Sequence, residues 1–356
     1  MERLDVVVVG GGQSGLAAAH ALRAEGLKPV VLEASDRPSG SWPRYYDSLT
    51  LFSPARYSTL PGLSFGGDAE RYPHRDEVVD YLLRYAAGLD AEIRTGQRVD
   101  QVSGDGEWLS VQLAGGEVLK ARAVVAASGS FGRPHRPALP GLQHYTGTVL
   151  HAADYHRPEP FAGQRVVVIG AGNSAVQIAA ELAGHATVTL ATRAPVRFAR
   201  QRPLGRDLHF WLTTTGLDIA PVGRLLRRPP TVPVLDTGRY RAALAAGAPD
   251  RRPMFTAAEG RAVAWLDGVK EEVDAIVLAT GYRPDLGYLA PLGALDTHGQ
   301  PHHRGGLSTV HPRLACVGLE WQRSLSSATL RGVGRDAAHV ARHLAARLRS
   351  GRPSRH

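Results

Sequence analysis

The hydrophobic pattern is written twice along the chain. Residues 6–9 form a continuous β-branched apolar run, followed by Gly10-Gly11-Gly12-Gln13-Ser14-Gly15 and an Ala/Leu-rich stretch of helical period over 16–24. Residues 166–169 form a second such run, followed by Gly170-Ala171-Gly172-Asn173-Ser174-Ala175 and a helical period over 176–182. A further apolar run stands after each helix, at 29–32 and at 187–191. Strand, glycine turn, helix and strand, repeated, predict two parallel-sheet nucleotide-binding units.

Between the repeats, residues 97–100, 108–113 and 117–120 alternate as short strands around Gly-rich turns, which predicts a small antiparallel insert. Residues 123–127 are a buried strand closing the first unit. Proline-rich linkers at 134–140 and 157–160 bracket the crossing into the second. Residues 195–253 are rich in Arg and Pro and poorly periodic; they are expected to form loops and short helices that cap a site. A strand at 275–279 is broken by Thr280-Gly281-Tyr282-Arg283-Pro284, and the chain ends with a strand at 314–318 and an amphipathic helix from about 328 to 348. The expected fold is α/β: two Rossmann-like domains of the glutathione-reductase type, the second inserted in the first. Residues 1–160 and 285–356 would form an FAD-binding domain and 161–284 an NADPH-binding domain.

The turns carry chemistry. Gly10 permits the tight turn, Gly12 lets the backbone approach a pyrophosphate, and Gly15 lets the helix pack on the strand; the helix N-terminus adds partial positive charge. Gln13 and Ser14 belong to that N-terminus. Glu33 stands 23 residues after Gly10, where a carboxylate accepts hydrogen bonds from ribose hydroxyls and repels a 2′-phosphate. In the second turn Gly170, Gly172, Asn173 and Ser174 take the equivalent places, and Ala175 replaces the third glycine, as is common in NADP sites. At the same spacing of 23 stands Arg193, whose planar guanidinium can pair with a 2′-phosphate. Opposite charges at one spacing predict FAD in the first turn and NADPH in the second. Near the C-terminus, Gly318 ends a strand. Ser327 is the expected N-cap of a last helix, entered at Thr329 and aimed at the flavin. Gly332 and Gly334 predict a close approach there, by a cofactor or by packing. Val99 and Gly129 complete the expected cofactor-side positions.

Composition removes other classes. The net charge of +9 comes from scattered arginines with no recognised nucleic-acid motif, so nucleic acid is not an expected partner. No apolar run approaches membrane-spanning length, and no secretory core follows Met1, so a cytoplasmic location is expected. The one cysteine, Cys316, cannot form an intrachain disulfide or a Cys-based metal site.

One further run resembles a known family. Tyr145-Thr146-Gly147-Thr148-Val149-Leu150-His151-Ala152-Ala153-Asp154-Tyr155 resembles the fingerprint of class B flavin monooxygenases: an aromatic, x, Gly, three residues, His, three residues, an aromatic. Gly40-Ser41-Trp42 is similar to the family's flavin-side turn, and Ala279-Thr280-Gly281-Tyr282 to its "ATGY" element. The resemblance extends to the bacterial group similar to plant YUCCA-type enzymes, including flavoproteins of arsenic-resistance operons. It implies FAD and NADPH as cofactors, a small organic substrate and O2 as partners, and oxidation through a C4a-(hydro)peroxyflavin, with a homodimer compatible.

Two departures narrow the chemistry. The fingerprint ends in Tyr155-His156 rather than the Trp of the Baeyer–Villiger subgroup, and Phe52 stands where N-oxidising members carry Asn. No catalytic side chain is nominated, because the cofactor carries the reactive chemistry. His151 is expected in a structural role, with a hinge contact to NADPH as the alternative, and the remaining histidines, including His302-His303, are expected at the surface. The rival functions are an NADPH–flavin oxidase or dehydrogenase without oxygen insertion, and a flavin-bound regulatory protein.

Overall fold

The computed structural model describes residues 1–104, 106–223 and 232–350. Part of the expected cap, 224–231, and the last six residues of the expected C-terminal FAD segment lie outside the described residues.

Continuous apolar runs become strands buried on both faces. Arg3–Val9 is the middle of a nine-stranded sheet, with Val118–Ala126 and Leu314–Cys316 on one side and Pro29–Leu32 and Glu92–Arg94 on the other, all parallel. Val6 and Val8 pack into a core with the helices Gln13–Ala24, Arg75–Ala87 and Leu330–Ser350. Val7 and Val9 pack into a second core on the opposite face. Full burial of each such side chain contributes roughly 1.5–3 kcal/mol, so both faces stabilise the strand that delivers the first glycine turn.

The predicted strands at 117–120 and 123–127 are one strand, Val118–Ala126. Its first half pairs antiparallel with Leu109–Leu113, which pairs in turn with Val99–Ser103; its second half joins the parallel sheet. One strand thus serves both the insert and the main sheet.

The second sheet has five parallel strands in the order Asp250–Pro253, Thr187–Thr192, Arg165–Ile169, Ala275–Leu278, Thr148–His151. The edge strand Thr148–His151 precedes residue 161, so the second unit reaches back beyond the expected boundary. Asp250–Pro253, expected as cap, is its other edge. The first sheet resumes with His303–Arg304, Leu307–Ser308 and Leu314–Cys316, which makes the second unit an insertion in the first. No helix among the described residues is long and apolar enough to cross a membrane.

Two linkers join the units and pair with each other: Arg133–Pro134 runs antiparallel to Tyr282–Arg283. The helix Arg75–Ala87 escapes the sequence reading. It is announced by a capping box in which His74 accepts from Asp76 N while Glu77 accepts from His74 N.

Candidate cofactor and oxidation site

The helices after the two glycine turns start differently from an ordinary helix. Gln13–Ala24 and Asn173–Leu182 have glycine N-caps, Gly12 and Gly172, with no side-chain cap and no acid in the first turn. Arg75–Ala87 has both a capping box and first-turn acids. The two N-termini therefore keep free N–H groups and partial positive charge for an external anion.

The turns are alike but not identical. Gly10 has φ +105°, and a Cβ there would lie 2.7 Å from Ala127 O. A Cβ on Gly15 would overlap the carbonyl oxygen of Gly10, so glycine is obligatory. In the second turn Gly170 has φ +147°, and Ala175 is accommodated there, fully buried.

Around the first turn the expected residues converge. Glu33 is buried, and its carboxylate accepts from Gly11 N (2.6 Å), Ser35 N and Ser35 Oγ (both 2.8 Å). A Cβ on Gly11 would lie 2.8 Å from Glu33 Cβ, so the middle glycine admits the acid to the loop, a role the sequence reading does not assign. Gly40 crosses Gly12: a Cβ on Gly40 would lie 2.8 Å from Gly12 Cα. Trp42 Nε1 donates to Gln13 Oε1 (3.2 Å), and Gln13 Nε2 donates to Ala328 O (2.7 Å), so Gln13 joins the flavin-side turn to the approach of the last helix. Ser41 Oγ is within 3.2 Å of Tyr45 OH. Gly318 abuts the Ser14 side chain. Gly129 follows Val118–Ala126 with open space at its Cβ direction. Val99 lies in the core, starting the insert two residues after Gln97, whose N–H donates to Glu33 O. The buried hydroxyl of Ser39 has no partner.

The last helix differs from expectation at its start. It begins at Leu330, and Thr329 Oγ1, not Ser327, accepts from Gly332 N (3.2 Å). Ser327 instead accepts from Arg323 N and Ser324 N in the preceding turn. Gly332 packs against Ser326 and Gly334 against Pro61, so protein, not cofactor, makes the close approach.

At the second turn, Asn173 Oδ1 is buried and unpartnered, and the Ser174 hydroxyl lies beside the Tyr46 phenol. Arg193, at the end of Thr187–Thr192, is exposed. It lies close enough to His135 that burial, then the charges of Arg283 and Arg193, hold that imidazole below its ordinary value. Two uncapped helix N-termini, each with an orphaned buried oxygen nearby, fit one dinucleotide apiece.

The fingerprint residues brace the seam between units. Tyr145 OH donates to Val273 O (2.6 Å), and its ring lies so close to Gly147 that a Cβ there would strike it. Tyr155, fully buried, donates to Glu181 Oε2 (2.7 Å). His151, also fully buried, bonds Gly281 O through Nε2 (3.0 Å) and stacks edge-on with Tyr282. Thr280 Oγ1 donates to His135 O, and His135 N donates to Gly281 O (2.9 Å). His151, Thr280 and Gly281 thus fasten the paired linkers.

Known proteins share this geometry. The family model for pyridine nucleotide-disulphide oxidoreductases matches residues 7–214. A flavin-containing monooxygenase from Stenotrophomonas maltophilia is 34% identical with a TM-score of 0.85, over 98% of this chain and 99% of that one. The chain belongs to the class B flavin monooxygenases. The indole-3-pyruvate monooxygenase YUCCA1 of Oryza sativa subsp. japonica is 34% identical over 339 residues, 85% of this chain and 82% of that protein. A bacillithiol disulfide reductase from Staphylococcus aureus, at 18% identity and a TM-score of 0.74, shares the fold alone.

The monooxygenase cannot run a thiol relay within its own chain. Cys316 is its only cysteine, fully buried, with its thiol pushed up to about 12 by burial. The bound cofactors of an NAD(P)H-dependent flavin monooxygenase supply hydride transfer and oxygen activation; the chain orients them and excludes water. The sequence reading misses one polar centre of the cap. Asp207 and His209, both buried, lie in hydrogen-bond contact, so not every remaining histidine is at the surface; His303 too is half-buried. The Asp-x-His spacing at the start of the helix Leu208–Thr215 is the signal that could have found them.

Proposed function

We propose that this is an FAD- and NADPH-dependent monooxygenase of small organic substrates, with FAD on the first turn and NADPH on the second. The observation that carries the reading is the charge inversion at equal spacing, Glu33 against Arg193. Glu33 accepts from the ribose of FAD. Arg193, exposed at the end of its strand beside His135 and Arg283, meets the 2′-phosphate of NADPH. Residues 1–160 and 285–356 hold FAD in this reading, and the insertion starting near Thr148 holds NADPH.

The substrate class to test first is 2-oxo acids, because the rice relative is named for indole-3-pyruvate. Tyr155-His156 and Phe52 weigh against ketone-to-ester chemistry and N-oxidation. The test combines two measurements. Stopped-flow mixing of NADPH-reduced enzyme with oxygen, followed by product analysis across 2-oxo acids, sulfides, amines and ketones, should give oxygenated product; peroxide alone with every substrate would overturn the monooxygenase assignment. Arg193→Glu should raise the KM for NADPH at least tenfold more than that for NADH, about 1.4 kcal/mol of discrimination. Equal effects on both would overturn the role of Arg193.

A further inference from the structure

The paired linkers carry cations to the edge of the second glycine turn. Ala279 lies on that turn: its N–H donates to Ile169 O (2.8 Å), and a Cβ on Gly170 would strike its carbonyl oxygen. From there Thr280-Gly281-Tyr282-Arg283 leaves the strand Ala275–Leu278, bends at Gly281 (φ +82°) and pairs with Arg133–Pro134. His135 is tied to this loop by both of its backbone groups. Its N–H donates to Gly281 O (2.9 Å), and its carbonyl accepts from Thr280 Oγ1.

Arg193 approaches the same place from the other side. It follows Thr187–Thr192, which flanks Arg165–Ile169 on one side as Ala275–Leu278 does on the other. Two strand spacings put those flanking strands roughly 10 Å apart, within the joint reach of two arginine side chains. Both guanidiniums stand near the His135 imidazole, which is held below its ordinary value first by burial and then by the charges of Arg283 and Arg193. Arg193 and Arg283 are exposed, and His135 is half-buried.

The remaining linker cations set Arg283 apart. Arg136 is committed to Asp154 (2.6 Å), whereas Arg133 stands directly opposite Arg283 in the ladder. Like charges facing each other across a ladder are destabilising, a repulsion that a bound anion would relieve. Arg133, Arg136 and Arg283 each precede a proline, which favours extended backbone at the arginine and so fixes where its side chain starts.

We propose that Arg283 is a second recognition residue for the 2′-phosphate of NADPH, closing on it from the linkers while Arg193 closes from the sheet. The phosphate then ties the inserted unit to the paired linkers, which NADH cannot do. This rests on the reading that puts NADPH on the second turn, and it adds a residue that the spacing from the glycine turn does not find.

The probes are 2′,5′-ADP and 5′-AMP, which differ only in that phosphate. Calorimetric titration of the flavin-loaded protein with each measures the preference without turnover, and wild type should bind 2′,5′-ADP the more tightly. Arg283→Ala should cut the preference about tenfold or more, the worth of one charge-assisted contact, and leave 5′-AMP binding as in wild type. Arg283→Lys should recover part of it, because an ammonium keeps the charge without the planar fork. Full preference in Arg283→Ala beside a lost preference in Arg193→Ala would overturn the proposal and leave the NADPH reading standing. Equal binding of the two probes by wild type would overturn that reading, and the proposal with it. A second measurement needs no variant. With wild type saturated by either probe, hydrogen exchange at His135, Arg136, Gly281, Tyr282 and Arg283 should be slower with 2′,5′-ADP. Equal protection by both would mean that the phosphate does not reach the linkers, and would overturn the proposal.

Discussion

The carbonyl oxygen of Gly10 occupies the space that a Cβ on Gly15 would need, whereas Ala175 carries its methyl at the matching place beside Gly170. In the first turn the third glycine is fixed by backbone contact. Gly15→Ala should therefore expel the helix from the turn and abolish flavin retention, read as flavin absorbance per protein. Ala175→Gly leaves the second turn intact and should cost only about 0.5–1 kcal/mol of helix stability. Normal flavin content in Gly15→Ala would contradict this reading.

Tyr145 and Gly147 form a second obligatory pair. The buried Tyr145 phenol, pushed up to about 12 by burial, donates to Val273 O and stays neutral. Tyr145→Phe should cost about 1 kcal/mol. Gly147→Ala forces a methyl into the ring and should cost about 1–3 kcal/mol, as overpacking does. Chemical denaturation measures both. A larger loss in Tyr145→Phe than in Gly147→Ala would show that the hydrogen bond, not the contact, sets the spacing of the fingerprint.

Much of the fold is legible because its strands are buried on both faces: the runs at 6–9 and 166–169 had no amphipathic alternation to blur them. The turns were legible because glycine is demanded by contacts at fixed spacing. What the sequence hid is what distant residues decide. Gly334 breaks helical propensity, but only the fold shows that Pro61 is the reason. The cap mixes Arg and Pro without period, and one of its anchors, Asp207, is held by Tyr72, 135 residues away, a contact no local pattern announces. Arg75–Ala87 carries its sequence signal only in the capping box at His74 and Glu77, with no apolar strand and glycine turn directly before it to mark a repeat.

Cys316 should be inert. It is fully buried with a raised thiol, so native protein should resist a maleimide or a chromogenic disulfide and react only after unfolding. Cys316→Ala should keep NADPH-driven flavin reduction, at a stability cost of about 1–2 kcal/mol for the small cavity. Rapid alkylation of native enzyme, or loss of flavin reduction in Cys316→Ala, would restore a thiol to the mechanism.

His151 sets a pH dependence with a defined sign. Its ring has two committed nitrogens: Nε2 bonds Gly281 O, so it must carry the proton, and Nδ1 accepts from Ala153 N at 3.0 Å. Protonating Nδ1 would break that second bond inside a fully buried site. Burial, first, holds this imidazole below its ordinary value of 6.5. The unfolded chain therefore binds the proton more readily than the folded one, and stability rises with pH across this window. The contribution is complete above the ordinary histidine value and is lost as pH falls through the lower folded value. Between pH 7 and pH 5 the denaturation midpoint should fall. His151→Asn should be less stable than wild type at pH 7 by about 1–3 kcal/mol, the cost of lost buried hydrogen bonds, but should lose less on acidification. Because other groups titrate in both proteins, the difference between the two slopes is the quantity to read. Parallel slopes would mean that the linkers can open to solvate a charged ring without unfolding, and the seam between the two units would then be looser than the burial of His151 implies.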